Sequence, residues 1–259
     1  MRRAVLTVIF VIVCATIYSQ RIVSLAPSIT HTLKQLGAGD KIVGQTSYCP
    51  ATNDQSAIVG DVLTINIEKI AALKPDIVFT MSFTQQQTIE KMRSLGIKVI
   101  DYPTPRNFDE ICRQTVQIAR HIKRMHYAVQ LINKERNTID SITQSMPAAG
   151  KKVMIQIGTR PLFAATPDTY IGEFIKRCRC TNIIAVGNAM ASKEYVISAK
   201  PDVLIISTMG GAFTEDEELW KSTTEAKVRI IDENACCPTP TFYRETLQQI
   251  ANFITDDEE

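Results

Sequence analysis

Two stretches of this chain carry the same phrase. The run Asn66 to Phe79, containing Glu68, Ile70 and Lys74-Pro75-Asp76, returns as Ser192 to Ile205, containing Glu194, Val196 and Lys200-Pro201-Asp202. The offset is 194 − 68 = 126 residues, with no insertion inside the phrase. Each copy predicts a short capped helix, stopped at Lys-Pro-Asp, that feeds a buried strand. Asn66 and Ser192 are N-cap residue types whose side chains accept an otherwise orphaned helix amide. Pro75 and Pro201 cannot continue a helix and push the preceding lysine out of the helical region. Two such units imply two similar lobes, and two lobes imply a cleft between them.

The amino terminus reads as an export leader over residues 1–20. Arg2-Arg3 precedes the apolar run Ala4 to Thr16, and small residues follow near Ser19. The run is shorter than the roughly 20 residues needed to span a bilayer. Cys14 follows Val13, where a lipid-attachment motif requires a small residue, so a cleaved leader is expected rather than a lipid anchor. Removing Arg2 and Arg3 leaves 29 − 2 = 27 basic residues against 27 acidic ones. That balance gives no electrostatic footprint for nucleic acid. The acidic end Asp256-Asp257-Glu258-Glu259 reads as a solvated tail.

After Arg21 the pattern alternates strands and helices. Expected strands are Arg21 to Leu25, Lys41 to Gly44, Ile77 to Thr80 and Ile97 to Ile100, with helices from Ser28 or Thr30 and over about Gln85 to Leu95. Alternation of this kind predicts mainly parallel sheets covered by helices, an α/β lobe over residues 21–106. From Asn107 to Met146 the period changes. Ile111, Ile118, Ile122, Val129, Ile132, Ile139 and Ile142 recur at helical spacing without glycine or proline. This segment, 107–146, is expected as a connector: one long rigid helix of roughly 55 Å, or two abutting helices broken near Lys123. A second α/β lobe is expected over 147–259, with strands Lys152 to Ile157, Asn182 to Val186 and Val228 to Ile231, and a closing helix Phe242 to Ile254.

In open α/β sheets, ligands sit beyond the carboxyl ends of the strands. That rule selects Ala26-Pro27-Ser28, Ser47-Tyr48-Cys49, Met81-Ser82-Phe83 and Tyr102 in the first lobe. In the second it selects Gly158 to Phe163, Met190, Met209-Gly210 and Cys236-Cys237. The candidate ligand residues are therefore Ser28, Tyr48, Cys49, Phe83, Arg160, Phe163, Met190, Met209, Cys236 and Cys237. Arg160 suits a ligand carboxylate or phosphate. Six cysteines follow the leader (Cys49, Cys112, Cys178, Cys180, Cys236, Cys237), enough for 15 complete pairings, and the sequence does not choose among pairing, packing and thiolate ligation. Three scattered histidines argue against a histidine-rich metal cleft, and His121 and His126 read as structural.

The segments Arg21 to Thr30, Leu36-Gly37 through Val43-Gly44, and the first repeat phrase resemble the vitamin B12 and ferric-siderophore binding proteins of ABC importers, and the resemblance extends to about Ile254. It implies two lobes on a stiff helical connector and a ligand cleft between them. It implies delivery of cobalamin or a related iron or cobalt chelate, haem or a ferric siderophore, to a permease dimer in the periplasm. It also implies a monomer when free, no catalysis and no resident cofactor or metal. Glu68 and Glu194 match the positions of one docking glutamate per lobe, and Tyr48 and Phe163 match positions of ligand-facing aromatic rings. The chain departs from that pattern at Val62 and near Met190, where relatives carry tryptophan, and at His31, where a glutamate is common. Its one tryptophan, Trp220, lies in a charged helical stretch. The disulfide partner of Cys178 in such relatives is replaced near Ala251. Two other functions compete: an exported enzyme using Cys49 or Cys236 as nucleophile, which would need a nearby base, and a sensor that kept the fold.

Overall fold

The computed structural model describes residues 19–52, 56–61, 64–147, 150–207, 214–231 and 233–256, with the backbone alone for Glu233 and Cys236. The leader through residue 18, Val62 and Met209 lie outside these residues.

The first lobe contains β1 (Ile22–Ser24), α1 (Pro27–Gln35), β2 (Ile42–Gln45), β3 (Ala57–Ile58), α2 (Ile67–Ala72), β4 (Ile77–Met81), α3 (Gln86–Ser94) and β5 (Val99–Tyr102). The connector is α4 (Phe108–His121) and α5 (Met125–Ser145). The second lobe contains β6 (Lys152–Gly158), β7 (Phe163–Ala164), α6 (Tyr170–Arg177), β8 (Thr181–Asn182), α7 (Lys193–Ala199), β9 (Val203–Ser207), α8 (Thr214–Thr223), β10 (Lys227–Ile231) and α9 (Pro240–Thr255).

The first sheet has the order β3-β2-β1-β4-β5 and is parallel throughout. The second has the order β10-β9-β6-β7, with β8 parallel to β6 and only β7 antiparallel. Both sheets are covered on two faces. Ile70, Ile89 and Met92 seal one side of the first sheet, while Ile29, Leu33 and Ile118 seal the other. Val196 and Trp220 seal one side of the second sheet, and Phe174, Leu247 and Ile250 the other. This is the expected α/β architecture.

The repeat phrase folds alike in both lobes. Asn66 Oδ1 accepts the Lys69 amide at 2.8 Å and Ser192 Oγ accepts the Tyr195 amide at 3.1 Å, the expected caps. Lys74 and Lys200 leave the helices at φ 45° and 50°, in the left-handed region rather than in extended backbone. Each then turns the chain so that the aspartate after the proline reaches the neighbouring strand. The Arg21 amide donates to Asp76 Oδ2 at 2.7 Å, and the Lys152 amide donates to Asp202 Oδ2 at 2.6 Å. The side chains of the same two residues return the contact: Arg21 Nε donates to Leu73 O at 2.9 Å and Lys152 Nζ to Ala199 O at 3.3 Å. These are carbonyls of the last helical turn, which basic groups satisfy.

The connector is a hairpin, which corrects the single rigid helix of 107–146 in favour of the broken form. Lys123 turns at φ 58°, and the Arg124 amide closes the end of α4 on Ala119 O at 2.8 Å. α5, at 21 residues, is roughly 30 Å long. α4 lies against it, tied by Arg136 to Asp109 at 2.8 Å. Both helices cross between the lobes. Ile118, Ile122 and Ala128 enter the first-lobe core, while Phe108, Ile111, Ile139 and Ile142 enter the second.

Two local expectations also shift. The strand over 182–186 contracts to β8, because Asn182 Oδ1 accepts the Ile184 amide at 2.9 Å and turns the chain. α1 begins at Pro27 with Ala26 at the cap rather than at Ser28 or Thr30, since proline is pre-set for the first helical position.

Candidate functional site

In each sheet the strand order reverses beside the first strand: between β1 and β4, and between β6 and β9. Ligands of such sheets lie beyond the carboxyl ends at that reversal. The loops there are Leu25-Ala26 and Ser82-Phe83 in the first lobe, with Thr46 to Cys49 beside them. In the second lobe the described loop is Thr159 to Leu162.

On the first lobe, Tyr48 is 69% exposed and Phe83 68% exposed. Tyr48 follows β2 and Phe83 follows β4, so these open apolar side chains flank β1 at the carboxyl end of the sheet and offer contact area. Tyr48 is held by a buried scaffold. Gln45, the last residue of β2, donates from Nε2 to Pro50 O at 3.2 Å, and its Oε1 accepts from Thr52 Oγ1 at 2.8 Å. Cys49 closes the loop from within: its sulfur lies 3.1 Å from Thr46 Oγ1 and donates to Ser24 O at 3.8 Å. Ser28 is likewise buried, with its hydroxyl donating to Met81 Sδ at 2.9 Å. Ser28 and Cys49 thus shape the loops, whereas Tyr48 and Phe83 face outward. Tyr102 is buried beside Phe79, and burial pushes its hydroxyl up to about 12.

On the second lobe, Phe163 and Met190 are brought side by side by an antiparallel bridge, and both expose substantial surface. Arg160 is exposed and paired with Glu215 at 3.1 Å, a contact that water screens heavily. The loop bearing Arg160 hangs from a buried polar chain. Trp220 Nε1 donates to Gln156 Oε1 at 2.8 Å, Gln156 Nε2 donates to Asp216 Oδ2 at 2.9 Å, and Thr159 Oγ1 donates to the same oxygen at 2.7 Å. The tryptophan is therefore a fully buried strut, not a ligand platform. Sequence reasoning missed these supports. The signal was a single glutamine inside an apolar strand run in each lobe, Gln45 and Gln156.

Cys237 is half-buried beyond β10. Cys112 and Cys178 are buried as thiols in the second-lobe core, pushed up by burial to about 11 and about 12 respectively. Ala251 shares that core with Cys178. His31 is half-buried, and its ring meets Phe242 of α9 edge-on, with centroids 4.6 Å apart. Gln35 Nε2 donates to Thr239 Oγ1 at 3.3 Å beside it, so α1 and α9 form a direct contact between the lobes.

Glu68 and Glu194 lie in the first turns of α2 and α7, both exposed. The amide of Glu194 itself and the Ser192 hydroxyl hold the Glu194 carboxyl below the usual range. A small cavity of about 180 Å³ beside α7 is lined by Met190, Ser192 and Tyr195.

Residues 22–232 match the family model described as periplasmic binding protein. A vitamin B12-binding protein of Yersinia pseudotuberculosis is 30% identical over 243 residues, covering 90% of this chain and 85% of that protein. Among solved structures, the periplasmic haem-binding protein HutB of Vibrio cholerae superposes with a TM-score of 0.79 at 20% identity, over 92% of this chain and 99% of that one. The periplasmic vitamin B12-binding protein BtuF of Vibrio cholerae superposes with a TM-score of 0.72 at 23% identity, over 92% and 98%. At these identities the superpositions establish the fold.

Proposed function

The chain belongs to the periplasmic binding protein family, and from that membership we propose that it carries cobalamin or a related iron or cobalt chelate to an ABC importer. The observation that supports a flat, partly apolar cargo is that each lobe exposes large apolar side chains at or beside its strand-order reversal. Tyr48 and Phe83 stand on one lobe, Phe163 and Met190 on the other. Aromatic faces stack on planar rings and supply large contact area with few rotatable bonds to freeze. Arg160 is placed to exchange Glu215 for an anionic group of the cargo, because an exposed ion pair is held weakly. In this reading the leader of residues 1–20 is cleaved on export, the free protein is a monomer, and the cargo is released unchanged.

Glu68 and Glu194 serve as docking points for the permease dimer. They occupy equivalent first-turn positions in the two lobes, and exposed charges of this kind steer and orient an encounter. The hairpin connector favours a small lobe movement, since two helices rather than one must bend for the cleft to open.

Absorbance-monitored titration with cobalamin, cobinamide, haem and ferric siderophores tests the cargo class. A saturable spectral change with one equivalent of at least one of them is expected. Silence from all four would overturn the proposal.

A further inference from the structure

We propose that the groove between α4 and α5 is a second binding site, taking a small multivalent oxyanion of the pyrophosphate type. It lies along the connector, apart from the cargo loops. The groove encloses about 410 Å³ and is lined by Asp109, Cys112, Arg113, Val116, Gln117, Arg120, Ile132 and Arg136. A volume of this order falls within the range of small-molecule sites, about 300–1,000 Å³.

Three guanidiniums meet one carboxylate in this lining. Asp109 is already taken by Arg136 at 2.8 Å, and Arg136 is held further over the Phe108 ring, 5.3 Å from its centroid. Among the described residues Arg113 pairs only with Glu110, one turn back on α4, at 3.5 Å, and that carboxylate is shared with Arg106 at 2.9 Å. Arg120 forms no ion pair among the described residues. The groove is therefore left with positive charge that its own acids do not neutralise.

A single multivalent anion would draw these side chains together. Arg113 and Arg120 are seven residues apart on α4, about 10 Å along the axis and on one face. Gln117 stands between them as a further donor, and Arg136 faces them from α5. Val116 and Ile132 form an apolar floor that excludes water from one side and strengthens polar contacts made above it. Guanidinium forks bind phosphate and carboxylate oxygens in pairs, with a geometry that a lysine does not supply. A monovalent anion would engage one fork, whereas a divalent or higher oxyanion engages two or three.

Isothermal titration of the apo protein with pyrophosphate, at fixed ionic strength, tests the site without reference to the cargo. Saturable 1:1 binding is expected, tighter than for inorganic phosphate. The double variant Arg113→Gln/Arg120→Gln should weaken it by about tenfold or more, the range for losing charge-assisted hydrogen bonds. Both side chains are exposed and glutamine keeps the helix propensity, so the variant should fold. Its chelate titration should match that of the parent. Absence of saturable heat, or equal pyrophosphate affinity in the double variant, would overturn the proposal.

Discussion

Asp202 grips Lys152 through both of its backbone groups. The Lys152 amide donates to the Asp202 carboxylate at 2.6 Å, and the Asp202 amide donates to the Lys152 carbonyl at 2.8 Å. Asp76 holds Arg21 in the same way, at 2.7 Å and 2.8 Å. The aspartate of the repeat phrase thus registers the incoming strand of each lobe against the strand it precedes. The two copies differ in exposure: the Arg21 bond is partly buried and the Lys152 bond is exposed. Replacing Asp76 by Ala should lower stability by about 1–2 kcal/mol, as for a partly buried bond to a charged acceptor, and Asp202→Ala by less than about 1 kcal/mol. Urea unfolding of the two variants checks this order, and Asp→Asn at each site should recover part of the loss.

The repeat made its capped helices and following strands legible in advance, though not the aspartate contacts, because caps, proline stops and apolar strand runs are local signals that tertiary packing reinforced. The connector was only partly legible. Its hydrophobic period runs on through Lys123, and nothing in that residue's chemistry announces a left-handed turn at φ 58°. The break follows from packing, since it lets α4 fold back so that Ile118 and Ala128 enter one core while Ile111 and Ile139 enter the other. The candidate site divides in the same way. Strand ends located the loops, but which side chains face out depends on partners distant in sequence. Ser28 turns in to Met81, and Cys49 turns in to Ser24, while Tyr48 remains open.

The Trp220–Gln156–Asp216 chain predicts a stability effect without direct ligand contact. Trp220→Phe keeps most of the ring volume but leaves the buried Gln156 Oε1 without its donor. A buried acceptor left unsatisfied costs about 1–3 kcal/mol. Thermal unfolding should show a loss of that order. Because Thr159 hangs from the same carboxylate, the loop carrying Arg160 should also exchange its amide hydrogens faster. An unchanged melting temperature would place the indole outside this role.

The lobe contact at His31 predicts a pH dependence. Burial, and then the charge of Lys34, hold the imidazole below its ordinary value of 6.5. Above pH 6.5 both folded and unfolded forms are neutral at this site and its contribution is complete. As pH falls below 6.5 the unfolded chain takes up the proton first, so stability is lost toward the lower folded value. His121, lowered chiefly by burial as well, acts in the same direction. Urea midpoints at pH 7.5 and pH 5.5 should therefore fall on acidification, and His31→Gln should reduce that fall without abolishing it.

The proposed cargo residues and the proposed docking residues lie on different elements, so the two functions should separate by mutation. Tyr48→Ala removes a ring from the loop after β2, and Phe163→Ala removes one from the start of β7. Loss of one stacking face corresponds to about 1–2 kcal/mol, or roughly fivefold to thirtyfold in affinity. Glu68→Ala and Glu194→Ala remove exposed first-turn carboxylates of α2 and α7, where no core side chain depends on them. Affinity for cargo should stay within about twofold of the parent in these two variants, while vesicle uptake through the cognate importer should fall steeply, most of all in the double variant. The two lobes should not contribute equally. Around Glu194 the proposed docking face would include exposed Tyr195 and Ile197, whereas the equivalent places beside Glu68 are Lys69 and Ala71. Apolar contact at the second lobe would hold the complex after charge has oriented it, so salt should slow association through Glu68 more than it loosens the complex formed through Glu194. Uptake that declined only in step with cargo affinity would assign both glutamates to the cleft instead.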